Sequence, residues 1–363
     1  MLWIIAAIGA AAALLAGALL HRKLRQRKIS ASMQIRGARW IVEQRFVRIG
    51  GIDQWIGIRG EDRVNPALLV IHGGPGSPSS IFTPLIRSWE KHFTVIQWDQ
   101  RGSGKTLGRT GVAGVRELTM DRLTRDGIEV AEFVCSHLGK NKITLLACSF
   151  GSTFGLSMVR RRPDLFCAYV GTDQNVGMVR NREPNHKAVL ERLRANGLNK
   201  GVAALEKIGH DPSRWTPQDF ITTAKWTMQS DPHTYRRIMK LLKSAIWFSP
   251  GHTLRDIQLI ISGMKLSIAR LFREVPSFDA WQEGTRFEIP FFIIQGENDV
   301  LTTPSQAKAY FDDVTAPVKS MTLIRDAGHF TAFIQPDQFL NELLTVAQAS
   351  SQPVFPADHL PHP

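Results

Sequence analysis

The feature that most limits how this chain can fold is a set of fully apolar runs, each ending in a turn of small residues. Ala67–Ile71 leads into His72-Gly73-Gly74-Pro75-Gly76, and residues 93–98 lead into Asp99-Gln100-Arg101-Gly102-Ser103-Gly104. Residues 142–147 lead into Cys148-Ser149-Phe150-Gly151-Ser152. Strands apolar on both faces belong inside a parallel sheet that is covered on each side. Helical spacing over residues 121–138 and from Ser149 to about Arg161, with a further strand at 165–171, supplies the covering layers. Strands alternating with helices define an α/β fold with a mostly parallel central sheet.

That rhythm stops from residue 173 to residue 283, where amphipathic helices are separated by Pro212, Pro217, Pro232 and Pro250, and the segment reads as an inserted helical cap. It resumes with a strand at 290–295, a helix near 305–313, a strand at 319–324 and a last helix near 336–349. Ahead of the first core strand, residues 45–49 and 54–59 form a hairpin across Gly50-Gly51-Ile52-Asp53. The core therefore occupies residues 45–172 and 284–349, and the proline-containing tail, 350–363, is expected to be disordered.

The run into Cys148-Ser149-Phe150-Gly151 has the form of a nucleophile elbow, in which a sharp strand-to-helix turn lifts a serine hydroxyl out of the sheet. Such a turn needs small residues two places before and after the serine, here Ala147 and Gly151. Ala147 replaces the usual glycine, so its Cβ has to fit beside the helix. A serine hydroxyl needs a base, and the base needs an orienting acid. His329 follows the last strand in Gly328-His329-Phe330, and Asp299 follows the strand that resumes after the cap. We assign Ser149 as nucleophile, His329 as general base and Asp299 as the acid, with Glu297 as second choice of acid. Backbone N–H groups of Phe150 and Gly74 are the expected oxyanion donors. His72 is read as a loop-shaping residue, and Cys148, which precedes the apex, as packing. Gly102-Ser103-Gly104-Lys105-Thr106 mimics the end of a phosphate loop, but Asp99 stands where the first glycine is required.

The net charge of +13 is uneven. Residues 1–45 hold eight Lys/Arg against one acid, and residues 173–283 hold seventeen against eleven. Neither segment has a zinc-finger, RNA-binding or phosphate-loop pattern, so no nucleic-acid partner is expected. Residues 2–20 carry no charge and, as a helix, would span about 28 Å, close to a bilayer core. His21-Arg22-Lys23-Leu24-Arg25-Gln26-Arg27-Lys28 follows immediately. This reads as a single-pass anchor over 1–21 and a basic juxtamembrane linker over 22–44, with the catalytic domain on the cytoplasmic side. A signal peptide cleaved near Ala16-Gly17-Ala18 competes with this reading but lacks a basic leading region. Cys135, Cys148 and Cys167 have no metal-ligand spacing, and neither cofactor nor metal is called for.

Taken together, His72-Gly73-Gly74-Pro75-Gly76, Trp98-Asp99-Gln100-Arg101-Gly102-Ser103-Gly104, the Ser149 elbow, Asp299 and Gly328-His329 resemble the prolyl aminopeptidase (proline iminopeptidase) branch of the α/β hydrolases. The resemblance runs over residues 45–345, with the cap matching least. It implies hydrolysis by a Ser-Asp-His triad beneath a helical cap, by way of an acyl-enzyme, with release of small N-terminal residues from peptides. It also implies cap carboxylates that hold the free amine, for which Glu183, Glu191 and Glu206 are the candidates. Trp215, Trp226, Trp247 and Trp281 either line an apolar pocket or form the core of the cap. A carboxylesterase or lipid-ester hydrolase at the membrane surface, drawn there by the basic cap, and a catalytically silent binding module on the same fold are the alternatives.

Overall fold

The computed structural model describes residues 2–351, excluding the side chains of residues 2 and 351. The chain opens with one long helix, α1 (Leu2–Ser32), followed by the antiparallel pair β1 (Ile41–Ile49) and β2 (Ile52–Gly60). Next come β3 (Ala67–Ile71), β4 (Thr94–Asp99), α2 (Gly104–Thr110), α3 (Met120–Leu138), β5 (Ile143–Cys148), α4 (Phe150–Arg161) and β6 (Phe166–Thr172). Five helices follow before the sheet resumes: α5 (Arg182–Ala195), α6 (Asn199–Ile208), α7 (Pro217–Gln229), α8 (Pro232–Phe248) and α9 (Leu254–Leu271). A one-turn helix α10 (Ala280–Glu283) leads to β7 (Phe291–Gly296), α11 (Pro304–Asp313), β8 (Lys319–Ile324), α12 (Thr331–Ile334) and α13 (Pro336–Ser351).

The eight strands form one sheet in the order β1-β2-β4-β3-β5-β6-β7-β8. From β4 to β8 every pairing is parallel, while β2 joins both its neighbours antiparallel. Every residue of β3, β4, β5 and β7 is buried, which is why these runs lack polar alternation. One apolar cluster lies on each face, the first containing Leu69, Leu145, Phe154 and Phe291, the second Leu68, Val70, Trp89 and Phe339.

Two prolines marked in the sequence begin helices. Pro217 and Pro232 each stand first in their helix, behind the N-caps Thr216 and Asp231, where a missing N–H costs nothing. Between residues 76 and 92, where no element was read, a 3₁₀ segment at Ser79–Lys91 buries Ile81, Phe82, Ile86 and Trp89.

The segment 22–44 is not a linker. The first helix continues to Ser32, and β1 begins at Ile41. The physical reason is docking: the Arg22 guanidinium donates from Nε to the Trp247 carbonyl at 2.9 Å and from Nη2 to the His252 carbonyl at 2.7 Å. Gln26 Nε2 donates to the Ser249 carbonyl at 2.8 Å. These bonds satisfy carbonyls at the end of α8 and in the loop after it, and Arg22 itself is buried. Residues 350 and 351 close α13, so the expected tail begins no earlier than 352, and from there it lies outside the described residues.

A buried ion pair holds the sheet edge to its helical layer. Arg101 meets Asp126 with two bonds, at 2.8 and 3.2 Å, and donates further to the Gly50 and Gly114 carbonyls. Replacing Arg101 with methionine strips a buried carboxylate of its bidentate partner and is expected to cost about 3–5 kcal/mol. Urea unfolding measures this directly, and a loss below about 1 kcal/mol would show that Arg122, 2.7 Å from Asp126, and Gln54, 2.9 Å from it, compensate.

Candidate active site

Ser149 stands between the C-terminal end of β5 and the start of α4, with φ 51° and ψ −122°. This backbone conformation is sparsely populated, and its surroundings enforce it. A Cβ on Gly151 would come within 2.7 Å of the His72 carbonyl oxygen, so the residue two places after the serine has to be glycine. The substitution at Ala147 also has its explanation. An added Cβ on Gly155 would lie 2.9 Å from the Ala147 Cβ, so the missing side chain at Gly155 leaves room for the methyl group at Ala147.

Three predicted residues meet. Ser149 Oγ lies 2.9 Å from His329 Nε2, and His329 Nδ1 lies 2.9 Å from Asp299 Oδ2. In the neutral imidazole, with Nδ1–H committed to the carboxylate, Nε2 accepts from the Ser149 Oγ–H. Asp299 is fixed in turn: its Oδ1 accepts from the Leu301 and Thr302 amides, and its Oδ2 from Thr302 Oγ1 and Gln295 Nε2. Glu297, the second choice, is exposed. Gly74 and Phe150 both line the cavity in front of Ser149, and neither amide N–H has a hydrogen-bond partner among the described residues.

One participant was missed. Asp173, immediately after β6, is buried and accepts from the Phe330 and Thr331 amides and from Thr331 Oγ1, pinning the loop that carries His329. The available signal was its place at a sheet C-terminal end, shared with Ser149, Asp299 and His329. Burial by itself would lower the His329 pKa, but Asp299 and Asp173 together outweigh it and raise the value to about 9. Burial pushes the Asp173 carboxyl upward.

A base must be neutral to take a proton, so kcat/KM is expected to rise with pH through a limb centred well above the ordinary histidine value of 6.5. Asp173→Asn removes a negative charge, lowers the histidine's proton affinity and moves that limb to lower pH. A pH profile of kcat/KM for both proteins checks this. A reduced plateau with an unmoved midpoint would leave Asp173 a purely structural role.

His72 is no base. Burial drives its pKa down to about 4, its Nε2 accepts from the Gln100 amide at 3.2 Å, and its Nδ1 faces the Gly73 carbonyl at 2.9 Å. Asp99 fills the anion position of the phosphate-loop mimic, because its Oδ2 accepts from the Lys105 amide at 2.8 Å. Cys148 is buried, and burial drives its thiol pKa well up, which suits a packing residue. The ligand-bearing atoms of Asp173, Asp299 and His329 lie within 4.8 Å of one another, close enough for an ion, but both carboxylates are already filled with protein donors.

The cap glutamates are a correction. Glu183, Glu191 and Glu206 are all exposed, Glu206 is paired with Arg194 at 2.6 Å, and none lines the cavity. Val189, Leu190 and Leu193 of α5 pack with Leu205 of α6, which leaves these carboxylates to solvent. Of the tryptophans, Trp215 lines the cavity and Trp226 packs on the α5 and α6 cluster. Trp247 stacks with Arg22, and Trp281 with Arg180 at 4.1 Å. The cavity measures about 400 Å³ and holds Ser149 and His329 on its floor.

An elbow serine, a histidine and a buried acid at the C-terminal ends of parallel strands, beneath a helical insertion, define a class of hydrolases. Residues 66–336 match the family model for the alpha/beta hydrolase fold, and the chain belongs to that family. It is similar to a probable aminopeptidase of Bacillus subtilis (strain 168), with 27% identity across 81% of this chain and 93% of the relative. Among solved structures it shares its fold with proline iminopeptidase of Mycobacterium smegmatis, at 19% identity and a TM-score of 0.59, covering 85% of this chain and 98% of the other. It likewise shares its fold with a membrane phospholipase A described as a bacterial virulence factor, at 16% identity and a TM-score of 0.61, covering 97% of this chain and all of the other.

Proposed function

We propose that this protein is a serine hydrolase working through an acyl-enzyme. The observation that carries the reading is the relay from Ser149 through His329 to Asp299, with both contacts at 2.9 Å and the serine at the apex of a strained elbow. Ser149 Oγ attacks the scissile carbonyl carbon while His329 Nε2 takes the hydroxyl proton. The oxyanion that forms is held by the free amides of Gly74 and Phe150. Collapse of the tetrahedral species breaks the bond to the leaving group, which receives the proton from His329. Water, deprotonated by the same histidine, then hydrolyses the acyl-serine.

The first substrate reading is a peptidase that releases small N-terminal residues, and the likeness to the probable aminopeptidase of Bacillus subtilis supports the aminopeptidase part of that reading. The cavity favours a second reading, ester hydrolysis, because no Asp or Glu lines it to receive a free ammonium group. Side-by-side rates on proline and alanine arylamides and on short and long acyl esters, for wild type and Ser149→Ala, separate the two. Amide cleavage at least tenfold faster than ester cleavage would establish the peptidase. A complete lack of Ser149-dependent turnover on all of them would remove the hydrolase mechanism.

The first helix is long and apolar enough to cross a membrane, with a mean hydropathy of 2.3 in its most apolar stretch, and that stretch is exposed. We propose that residues 1–21 anchor the protein in a single pass with the catalytic domain cytoplasmic. The basic run from Arg22 to Lys28 supports that orientation, and the unbroken helix past residue 21 favours an uncleaved anchor. Full-length protein is expected to stay with membranes through an alkaline carbonate wash, and a chain lacking residues 1–21 to be released. Recovery of full-length protein in the wash supernatant would contradict the anchor.

A further inference from the structure

The cavity above Ser149 is lined by two arginines and no carboxylate. Arg192, on α5, is half-buried. Its Nε donates to Ser230 Oγ at 3.1 Å, and no carboxylate stands within 4.0 Å of its guanidinium among the described residues. Burial lowers its proton affinity, and the nearby Asp231 partly restores it. Arg182, at the start of α5, reaches Asp211 only at 3.4 Å, and Asp211 is shared with both donors of Ser213 and with Arg214 at 3.6 Å. Arg182 Nε is buried without a partner, and so is Thr223 Oγ1 on the adjoining α7. Both residues line the cavity. His186 and His210 complete the wall, and burial together with His210 lowers the His186 pKa, so His186 adds no positive charge at neutral pH.

Cations and hydroxyls withdrawn from water without partners are costly, and a protein ordinarily pairs them. Arg182 Nε and Thr223 Oγ1 are two such atoms, and with Arg192 their residues line the chamber that contains the candidate nucleophile. A planar guanidinium fork matches a carboxylate with two parallel hydrogen bonds, and a partly dry cavity strengthens that contact. A free ammonium group in the same place would meet two like charges. We propose that Arg182 and Thr223, in a chamber whose positive charge Arg192 reinforces from further along α5, form an anion subsite for a carboxylate on the substrate, which makes the substrate class a small ester or amide with an acid group remote from the scissile carbonyl. This rests on the serine-hydrolase reading and narrows it.

The test compares neutral 4-nitrophenyl hexanoate with two charged probes: mono-4-nitrophenyl adipate, with the acid on the acyl side, and 3-carboxy-4-nitrophenyl hexanoate, with it on the leaving side. At least one charged probe is expected to show kcat/KM tenfold or more above the neutral ester. In Arg182→Gln that ratio should fall at least tenfold through KM and in Arg192→Gln by a smaller factor, with Arg182→Lys intermediate and the exposed Arg194→Gln behaving as wild type. No preference for either charged probe, or a loss shared equally by charged and neutral esters, would overturn the subsite. Calorimetric titration of Ser149→Ala with monoethyl adipate against ethyl hexanoate gives a readout free of catalysis. Binding of the acid with no turnover in wild type would sink the mechanism and keep the subsite, whereas turnover with no binding preference would do the reverse.

Discussion

Ser149→Ala is expected to lower kcat on a cleavable ester or arylamide by on the order of 10⁴- to 10⁶-fold, with the protein still folded. The size follows from what the hydroxyl does. In the proposed mechanism it supplies the attacking atom and the proton that His329 collects, and Cys148 is no substitute, since it is buried within the strand and burial drives its thiol pKa well up. His329→Ala should cost a similar factor, because an unassisted serine hydroxyl is a poor nucleophile. The two residues act as one unit, so the double variant is expected to be no slower than the worse single one. Losses that multiplied in the double variant would mean that serine and histidine contribute independently, against the 2.9 Å contact that joins them. Any residual rate would come from the free amides of Gly74 and Phe150 and from binding.

Asp299→Asn is expected to reduce kcat by about 10⁴-fold. Asp299 Oδ2 accepts from His329 Nδ1 and thereby keeps the lone pair of Nε2 aimed at Ser149. The carboxylate is locked by four donors, from the Leu301 and Thr302 amides, the Thr302 hydroxyl and Gln295. In the asparagine variant an amide N–H facing Nδ1 would leave the imidazole proton on Nε2, directed at the serine it should deprotonate. Asp173 complicates this in a measurable way, because it raises the His329 proton affinity from a second side. If Asp173 could orient the ring by itself, Asp299→Asn would lose less than about tenfold, and only the double Asp173→Asn, Asp299→Asn variant would be inactive. The direct 2.9 Å contact to Asp299 argues for the larger single effect.

The sheet was readable because its central strands are apolar on both faces, and that pattern has few other uses. Ser149 and Asp299 were readable because each follows one of those strands, and His329 because it stands on the glycine-preceded loop after the last, edge strand β8. Asp173 occupies an equivalent position after β6, yet it was passed over because the chain there enters the cap and its acid has no recognisable motif. Element ends beyond the core depended on contacts that no local pattern records. The first helix runs to Ser32 because Arg22 and Gln26 find carbonyls more than 220 residues away. The cap glutamates were misplaced for a related reason. α5 is polar on most of its circumference and buries only Val189, Leu190 and Leu193, so which of its polar residues flank the cavity depends on how the helix is seated. That seating brings Arg182 and Arg192 to the cavity and leaves Glu183 and Glu191 in solvent.

The most direct test of the mechanism is the mass of the protein and of its Ser149 peptide after treatment with a fluorophosphonate, which modifies only an activated serine hydroxyl. A single adduct on Ser149 is expected, absent in Ser149→Ala and much slower to form in His329→Ala. Folded protein that takes up no label, or that carries it on another residue, would contradict Ser149 as the nucleophile.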